Sequence, residues 1–518
     1  MRLISISLAF AVLATPALAQ DKKPDTPPGK THKDAMIAEA EADWSKPPVE
    51  EAASVSHGTA TVKGQRIAYT ATAGTLTIRD NDGKPTASVF YTAYTRDGGG
   101  NRPLTFFYNG GPGSATVWLH MGSFGPMRVA TTSPDYMRPG PGSFGPNPWS
   151  LIDKTDMVFI DAIGAGWSRP LGDKTGKDFW GVDQDADAFA RAITRYVDKN
   201  MRWGSPKFLF GESYGTLRSG AVGALLEQRG MSLNGIVLLS TILNYGVRQP
   251  GYDQNYMILL PSYAATAWYH NRLAQRPADL AGFLAEVRQF VAGPYAAALA
   301  KGDAISPEEA QAVARQIAAY TGLSEAFVLR AHLRIDLPHF QTELLRDRRV
   351  ATGRLDSRYL LDVEDANADS PDDDPASTAI TGAYIANFQD YAARTLGYKT
   401  TMPYKLSARE QGWEWDWRHR APGSNGAQPA PNTGVDLAYT MRVNPYLKVL
   451  FLNGYYDMAT PFYSTEFDAN HLGLDASRHA NISFKYYDAG HMIYLNPDAL
   501  AKMHDDLERW YDSATAAH

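Results

Sequence analysis

Cysteine is absent from all 518 residues, so no disulfide braces this chain and its fold must be held by its core alone. An excess of positive charge is lacking too. The formal net charge is -6, with 20% charged and 44% apolar residues, which is ordinary for a globular protein and gives no reason to expect nucleic acid as a partner. Beyond the first residues no run is long and apolar enough to span a bilayer, so no membrane partner is expected either. Size sets no limit on the core: the length accommodates one large α/β domain with insertions, or two or three modest domains.

The front end reads as an export signal. Arg2 precedes an apolar stretch over residues 3–13, and Ala17-Leu18-Ala19 is an A-x-A cleavage signal before Gln20. A membrane anchor would need about 20 apolar residues and no cleavage signal. Here the polar, Pro-rich segment 21–30 follows instead. The expectation is a signal peptide at 1–19, a flexible leader at 20–56, and a periplasmic or secreted location in a bacterium.

From residue 57 to 95, short runs of Thr, Val, Ile and Tyr are punctuated by Lys63-Gly64, Ala73-Gly74 and Asn81-Asp82-Gly83, a pattern of antiparallel hairpins. Strand-like runs at 103–108, 157–161, 207–210, 235–243, 447–453 and 482–487 then alternate with helical patterns at 185–200, 216–228 and 499–511. This alternation predicts a mostly parallel sheet that is mixed only at its antiparallel edge. Between residues 244 and 434 it stops. Ala-rich amphipathic segments take over there, one of them opening on Ser306 as cap, Pro307 at the first helical position and Glu309 to close a capping box, with Gly322 as its stop. The predicted architecture is an α/β catalytic domain over 57–243 and 435–518, with a helical lid inserted at 244–434.

Two features of the insertion invite a ligand. Residues 362–374 carry seven carboxylates but lack the EF-hand glycine and twelfth-position glutamate, so a solvated acidic loop is expected and no metal. Trp413-Glu414-Trp415-Asp416-Trp417 could wall a pocket or pack beneath the lid.

Chemistry concentrates at Gly211-Glu212-Ser213-Tyr214-Gly215, a G-x-S-x-G turn between a Phe-rich strand and a helix. Such an elbow holds its central serine in a strained conformation, and its small glycines let strand and helix approach closely. Ser213 is the candidate nucleophile. After the strand at 103–108, Asn109-Gly110-Gly111-Pro112-Gly113-Ser114 lacks both the Gly-Lys-Ser/Thr of a P-loop and Rossmann spacing, and instead offers bare N–H groups to an oxyanion. Asp457 and His491 each follow a later strand. The order nucleophile, acid, histidine is that of α/β-hydrolases, in which the histidine takes the serine proton and the carboxylate fixes its tautomer.

These motifs resemble the serine carboxypeptidases, of which this would be a bacterial, cysteine-free member. The resemblance rests on Asn109-Gly110-Gly111-Pro112-Gly113, on Gly211-Glu212-Ser213-Tyr214, on Gly454 and Asp457 followed by Pro461, and on Gly490-His491-Met492, with Asn147-Pro148-Trp149-Ser150 and Gly164-Ala165-Gly166-Trp167-Ser168 in support. It implies an α/β-hydrolase fold and hydrolysis of C-terminal peptide bonds through an acyl-enzyme, without cofactor or metal. By the same resemblance, Ser213, Asp457 and His491 are catalytic, and the N–H groups of Gly111 and Tyr214 form the oxyanion hole. Asn109, Gly110 and a protonated Glu212 bind the free carboxylate of a peptide substrate, and Met492 borders the substrate pocket. An acyltransferase or esterase on the same scaffold is the alternative, followed by a non-catalytic peptide-binding protein. The chain departs from the family at three places. Ser114 stands where the family has cysteine, Tyr455 where it has a first aspartate, and Ser123 where a glutamate commonly shares a proton with Glu212. The last departure predicts a lower pKa for Glu212.

Overall fold

The structure, a computed structural model, describes residues 47–138, 142–249, 251–409 and 412–516; the expected signal peptide and the leader up to residue 46 lie outside the described residues. A sheet organises the main domain. Its antiparallel edge is β1 (Ala53–Val62), β2 (Gln65–Arg79) and β3 (Pro85–Arg96). The parallel part comprises β4 (Leu104–Tyr108), β5 (Asp156–Ile160), β6 (Lys207–Glu212), β7 (Gly235–Leu239), β8 (Lys448–Gly454) and β9 (Ile482–Tyr487). The order across the sheet is β1-β2-β3-β5-β4-β6-β7-β8-β9, and the short strand Arg169–Pro170 pairs beside β3. Every pairing from β5 to β9 is parallel, whereas β3 meets β5 antiparallel. This is an α/β-hydrolase fold.

Residue pattern explains the two regimes. Strands β4 to β7 are buried at every position, as a sheet covered on both faces requires, whereas β1 alternates exposed and covered residues. Helices α1 (Val182–Lys199), α2 (Tyr214–Gln228), α6 (Gly434–Val443) and α7 (Pro497–Thr515) belong to this domain; α1 presents an apolar stripe of Ala186, Phe189, Ile193 and Val197. The intervening insertion holds α3 (Gln254–Tyr269), α4 (Pro307–Thr321), α5 (Pro375–Arg394) and shorter helices. Residues 258–345 build their own apolar cluster, which also takes in Tyr456 and Met458 from the loop after β8 and Phe462 at the start of the helix Phe462–Asn470. The insertion is thereby packed onto the segment that carries Asp457.

Three local expectations are corrected. Ala53–Ser56, assigned to the leader, are strand, held by pairing of Ala53 with Gly74. Ala73-Gly74 is not a turn: β2 runs through it, and the missing side chain of Gly74 lets the backbone of Ala52 come close, since a Cβ there would sit 2.5 Å from Ala52 O. Ser306 caps α4 by accepting from Glu309 N, and Gly322 ends it at φ 70°, but the Glu309 carboxylate pairs with Lys301 and leaves the box half closed. In the acidic loop Asp374 caps α5. Among the described residues no helix is long and apolar enough to cross a membrane.

Candidate active site

Parallel strands put their carboxyl ends on one edge of a sheet, and all the candidate residues lie there. Ser213 directly follows β6 and precedes α2, with φ 60° and ψ -130°, a conformation that costs a non-glycine residue on the order of 1–3 kcal/mol. The neighbours that enforce it are visible. A Cβ on Gly211 would lie 2.2 Å from Gly215 O, and one on Gly215 would lie 2.9 Å from Tyr108 O, so strand and helix touch backbone to backbone. Ser213 N donates to Leu239 O at 3.0 Å, and Ser213 O accepts from Thr216 N at 2.8 Å.

Asp457 and His491 meet across the ends of β8 and β9. His491 Nδ1 lies 2.8 Å from Asp457 Oδ2; the carboxylate is fully buried and the imidazole 4% exposed. The other carboxylate oxygen accepts Ala459 N at 2.8 Å and Thr460 N at 2.9 Å, and Thr460 Oγ1 donates to Oδ2 at 2.6 Å. Nδ1 is engaged, so Nε2 is the nitrogen left for proton transfer. Burial pulls the His491 pKa down, but the charge and hydrogen bond of Asp457, with the charge of Glu212, outweigh it and leave it raised. His491 itself is anchored through its backbone, by Leu355 O at 2.6 Å and Ser240 Oγ at 2.6 Å.

The Gly-rich loop after β4 lies against the elbow. A Cβ on Gly110 would sit 2.4 Å from Tyr214 N, so only glycine lets this backbone approach the first N–H of α2, one that has no intrahelical acceptor. Gly111 has φ 107°. Asn109 spends Oδ1 on Leu119 N at 2.9 Å, and its amide hydrogen-bonds Glu212. Glu212, 2% exposed, also accepts from Tyr494 Oη at 3.0 Å. Burial pushes its carboxyl up to about 7, against the pull of His491, Tyr494 and Asn109. The expected lowering by Ser123 is thus offset: Ser123 donates to Leu119 O at 2.6 Å, and burial does the work assigned to a second carboxyl. Met492 is buried in the main core, 7% exposed.

Residues 63–275 match the model of the serine carboxypeptidase family. That segment of the chain is similar to the family. The matched segment contains the Gly-rich loop and the elbow; Asp457 and His491 lie beyond it. Among solved structures, Kex1(delta)p, a prohormone-processing carboxypeptidase from Saccharomyces cerevisiae, overlays with TM-score 0.48 at 14% identity, covering 86% of this chain and 91% of that one. A soluble variant of monoglyceride lipase from the same organism gives 0.37 at 12%, over 86% and 95%. Proline iminopeptidase from Mycobacterium smegmatis gives 0.34 at 13%, over 85% and 98%. No curated protein matches the chain.

Several residues around the site escaped sequence reasoning. Thr460 and Tyr494 are bound to Asp457 and Glu212; their only sequence signal was position, beside Pro461 and three residues after His491. Arg218 in α2 had none. Its side chain is fully buried, forks onto Asp185 of α1 at 2.7 and 3.2 Å, donates to Asn109 O at 2.7 Å and lies 4.1 Å over the Phe189 ring. It ties the Gly-rich loop to the elbow helix. The tryptophans divide: Trp415 packs edge-on to Tyr214 and stacks on Trp413, whereas Trp417 is partly exposed beside Tyr245.

Proposed function

We propose that this chain is an exported serine carboxypeptidase that releases the C-terminal residue of peptides through an acyl-enzyme. Ser213 Oγ attacks the scissile carbonyl carbon while His491 Nε2 takes its proton, and Asp457 stabilises the imidazolium. The oxyanion is met by the N–H groups of Gly111 and Tyr214. His491 then gives the proton to the leaving amine, and a water molecule, deprotonated by the same nitrogen, frees the acyl group and restores Ser213.

The observation that carries the peptidase reading, over a general esterase, is the carboxyl of Glu212. It sits directly before the nucleophile, buried, bonded by Asn109 and Tyr494, and with its pKa near 7. A protonated carboxyl there can donate to a substrate carboxylate, which a simple ester does not carry. The test is amino-acid release from an N-blocked dipeptide and from its C-terminal amide, by wild type and Ser213→Ala. Cleavage of the free acid alone, by wild type alone, supports the proposal. Equal cleavage of acid and amide, or of simple esters only, replaces it with the esterase or acyltransferase reading.

A further inference from the structure

Three arginines surround this centre without forming an ion pair among the described residues. Arg248, in the turn Gly246–Arg248 after β7, donates Nη1 to Ala459 O at 2.7 Å, two residues past Asp457. Its Nε and Nη2 are sealed from solvent and have no hydrogen-bond partner in the described structure. A guanidinium has five donors in a rigid fork, and a buried one is rarely left so incomplete. Arg354 spans the acid and histidine loops: its carbonyl accepts Met458 N at 3.1 Å, and that of the next residue, Leu355, accepts His491 N. Its side chain is exposed. Arg409 ends a segment pinned to the Gly-rich loop by Ala115 N to Leu406 O at 3.0 Å and Ala408 N to Gly113 O at 2.7 Å.

The three charges converge. All three draw down the pKa of the Tyr245 hydroxyl, which burial otherwise raises. Arg248 and Arg409 are lowered by burial, and the charge of Arg354 adds to this at both and opposes protonation of His491. Among the described residues the nearby acids are bonded elsewhere or pushed toward the neutral form. Asp457 holds His491 and Thr460. Asp374 accepts the backbone N–H groups of Arg354, Leu355 and Ser377. Asp468 accepts Leu243 N on Oδ2 and has no partner among the described residues on the buried Oδ1, and burial pushes its carboxyl up to about 7, toward the neutral form. Among the described residues the surplus is positive, around the loops that carry Asp457 and His491, with an aromatic wall of Tyr245 and Trp417 beside it.

We infer that Arg248, Arg354 and Arg409 form an anion-binding specificity subsite that takes an acidic side chain, Asp or Glu, on a residue flanking the scissile bond. This rests on the carboxypeptidase reading, in which the substrate's terminal carboxylate is already met by Asn109 and Glu212. The carboxylate left for the arginines is then a side chain's, held by charge-assisted, bidentate hydrogen bonds.

The experiment compares kcat/KM for N-blocked dipeptides carrying Glu or Gln, at the terminal and at the penultimate position, in wild type and in Arg354→Gln/Arg409→Gln, whose sites are exposed and half-buried. Glu is expected to exceed Gln by about tenfold or more at one position, and the double variant to bring that ratio to about one. A ratio at or below one at both positions overturns the inference. So does a loss in the double variant that is equal for Glu and Gln, which would assign the arginines to the terminal carboxylate. Titration of the same peptides into Ser213→Ala by calorimetry separates the two readings. If no peptide is turned over, tighter binding of Glu than Gln that vanishes with the arginines keeps the subsite while the peptidase reading falls; no difference in binding removes the subsite.

Discussion

Tyr494 Oη donates to Glu212 Oε2 across 3.0 Å, in a pocket where Glu212 is buried and its carboxyl is lifted to about 7. The hydroxyl favours the carboxylate form, so it restrains a shift that burial drives. If a protonated Glu212 binds substrate, kcat/KM for a peptide acid should fall as pH rises through about 7. Glu212→Gln should remove this descending limb, and Tyr494→Phe should move it to higher pH. The His491 limb ascends, so the two are separable in a profile from pH 5 to 9. An unchanged descending limb in Glu212→Gln would assign it elsewhere.

Thr460 is placed to position the Asp457–His491 pair. Its hydroxyl touches Asp457 Oδ2 at 2.6 Å and His491 Nδ1 at 3.0 Å, and so fixes where the carboxylate meets the ring. Thr460→Val keeps the shape and removes the donor. We expect kcat to fall about tenfold with KM little changed, the size of one lost hydrogen bond to a charged group, and Thr460→Ser to restore it. A Val variant as active as wild type would leave the backbone N–H groups of Ala459 and Thr460 as sufficient support.

Legibility from sequence followed locality. The elbow, the Gly-rich loop and the aspartate and histidine turns were readable because each is a short run whose residue types are dictated by backbone approach, as at Gly110 and Gly211. The sheet order was not, since hydrophobic runs announce strands but not their neighbours. Ala73-Gly74 misled because a glycine that admits a crossing backbone looks the same in sequence as one that turns the chain. The environment of Glu212 was misjudged for a related reason: the missing partner at Ser123 was visible, but the burial that replaces it belongs to tertiary packing. Arg218, Arg248, Arg354 and Arg409 lie far apart in the chain and carry no local motif.

Arg218 and Asp185 test how the Gly-rich loop is held. Their side chains are 0% and 6% exposed, and burial raises the Asp185 pKa against the pull of Arg218. Arg218→Leu would strand a buried carboxylate and free Asn109 O, a loss of about 3–5 kcal/mol. A urea titration should show a lower midpoint with an unchanged slope. Adding Asp185→Asn should recover part of that loss, because the uncompensated charge is then gone; a double variant no more stable than Arg218→Leu would locate the cost in packing instead.

His419 fastens part of the insertion to the main domain through a charged bridge. Nδ1 meets Asp183 Oδ1 of α1 at 2.6 Å and Nε2 meets Asp436 Oδ2 of α6 at 2.8 Å, so both nitrogens donate only in the imidazolium form. Burial pulls its pKa down, but the two carboxylates outweigh it and raise it to about 9. A folded-state pKa above the unfolded value of about 6.5 gives stability that is fully present below that value and is lost as pH rises through about 9. On the acid side, Asp436, whose carboxyl burial raises, limits the bridge by taking up its own proton. Wild type should therefore lose thermal stability between pH 7 and 10 more steeply than His419→Gln, and parallel curves would show that the bridge is energetically silent. Trp415 and Trp417 lie on the same segment, against Tyr214 and Tyr245. If the bridge governs that segment, tryptophan emission should change with the same midpoint, and the change should be absent from His419→Gln.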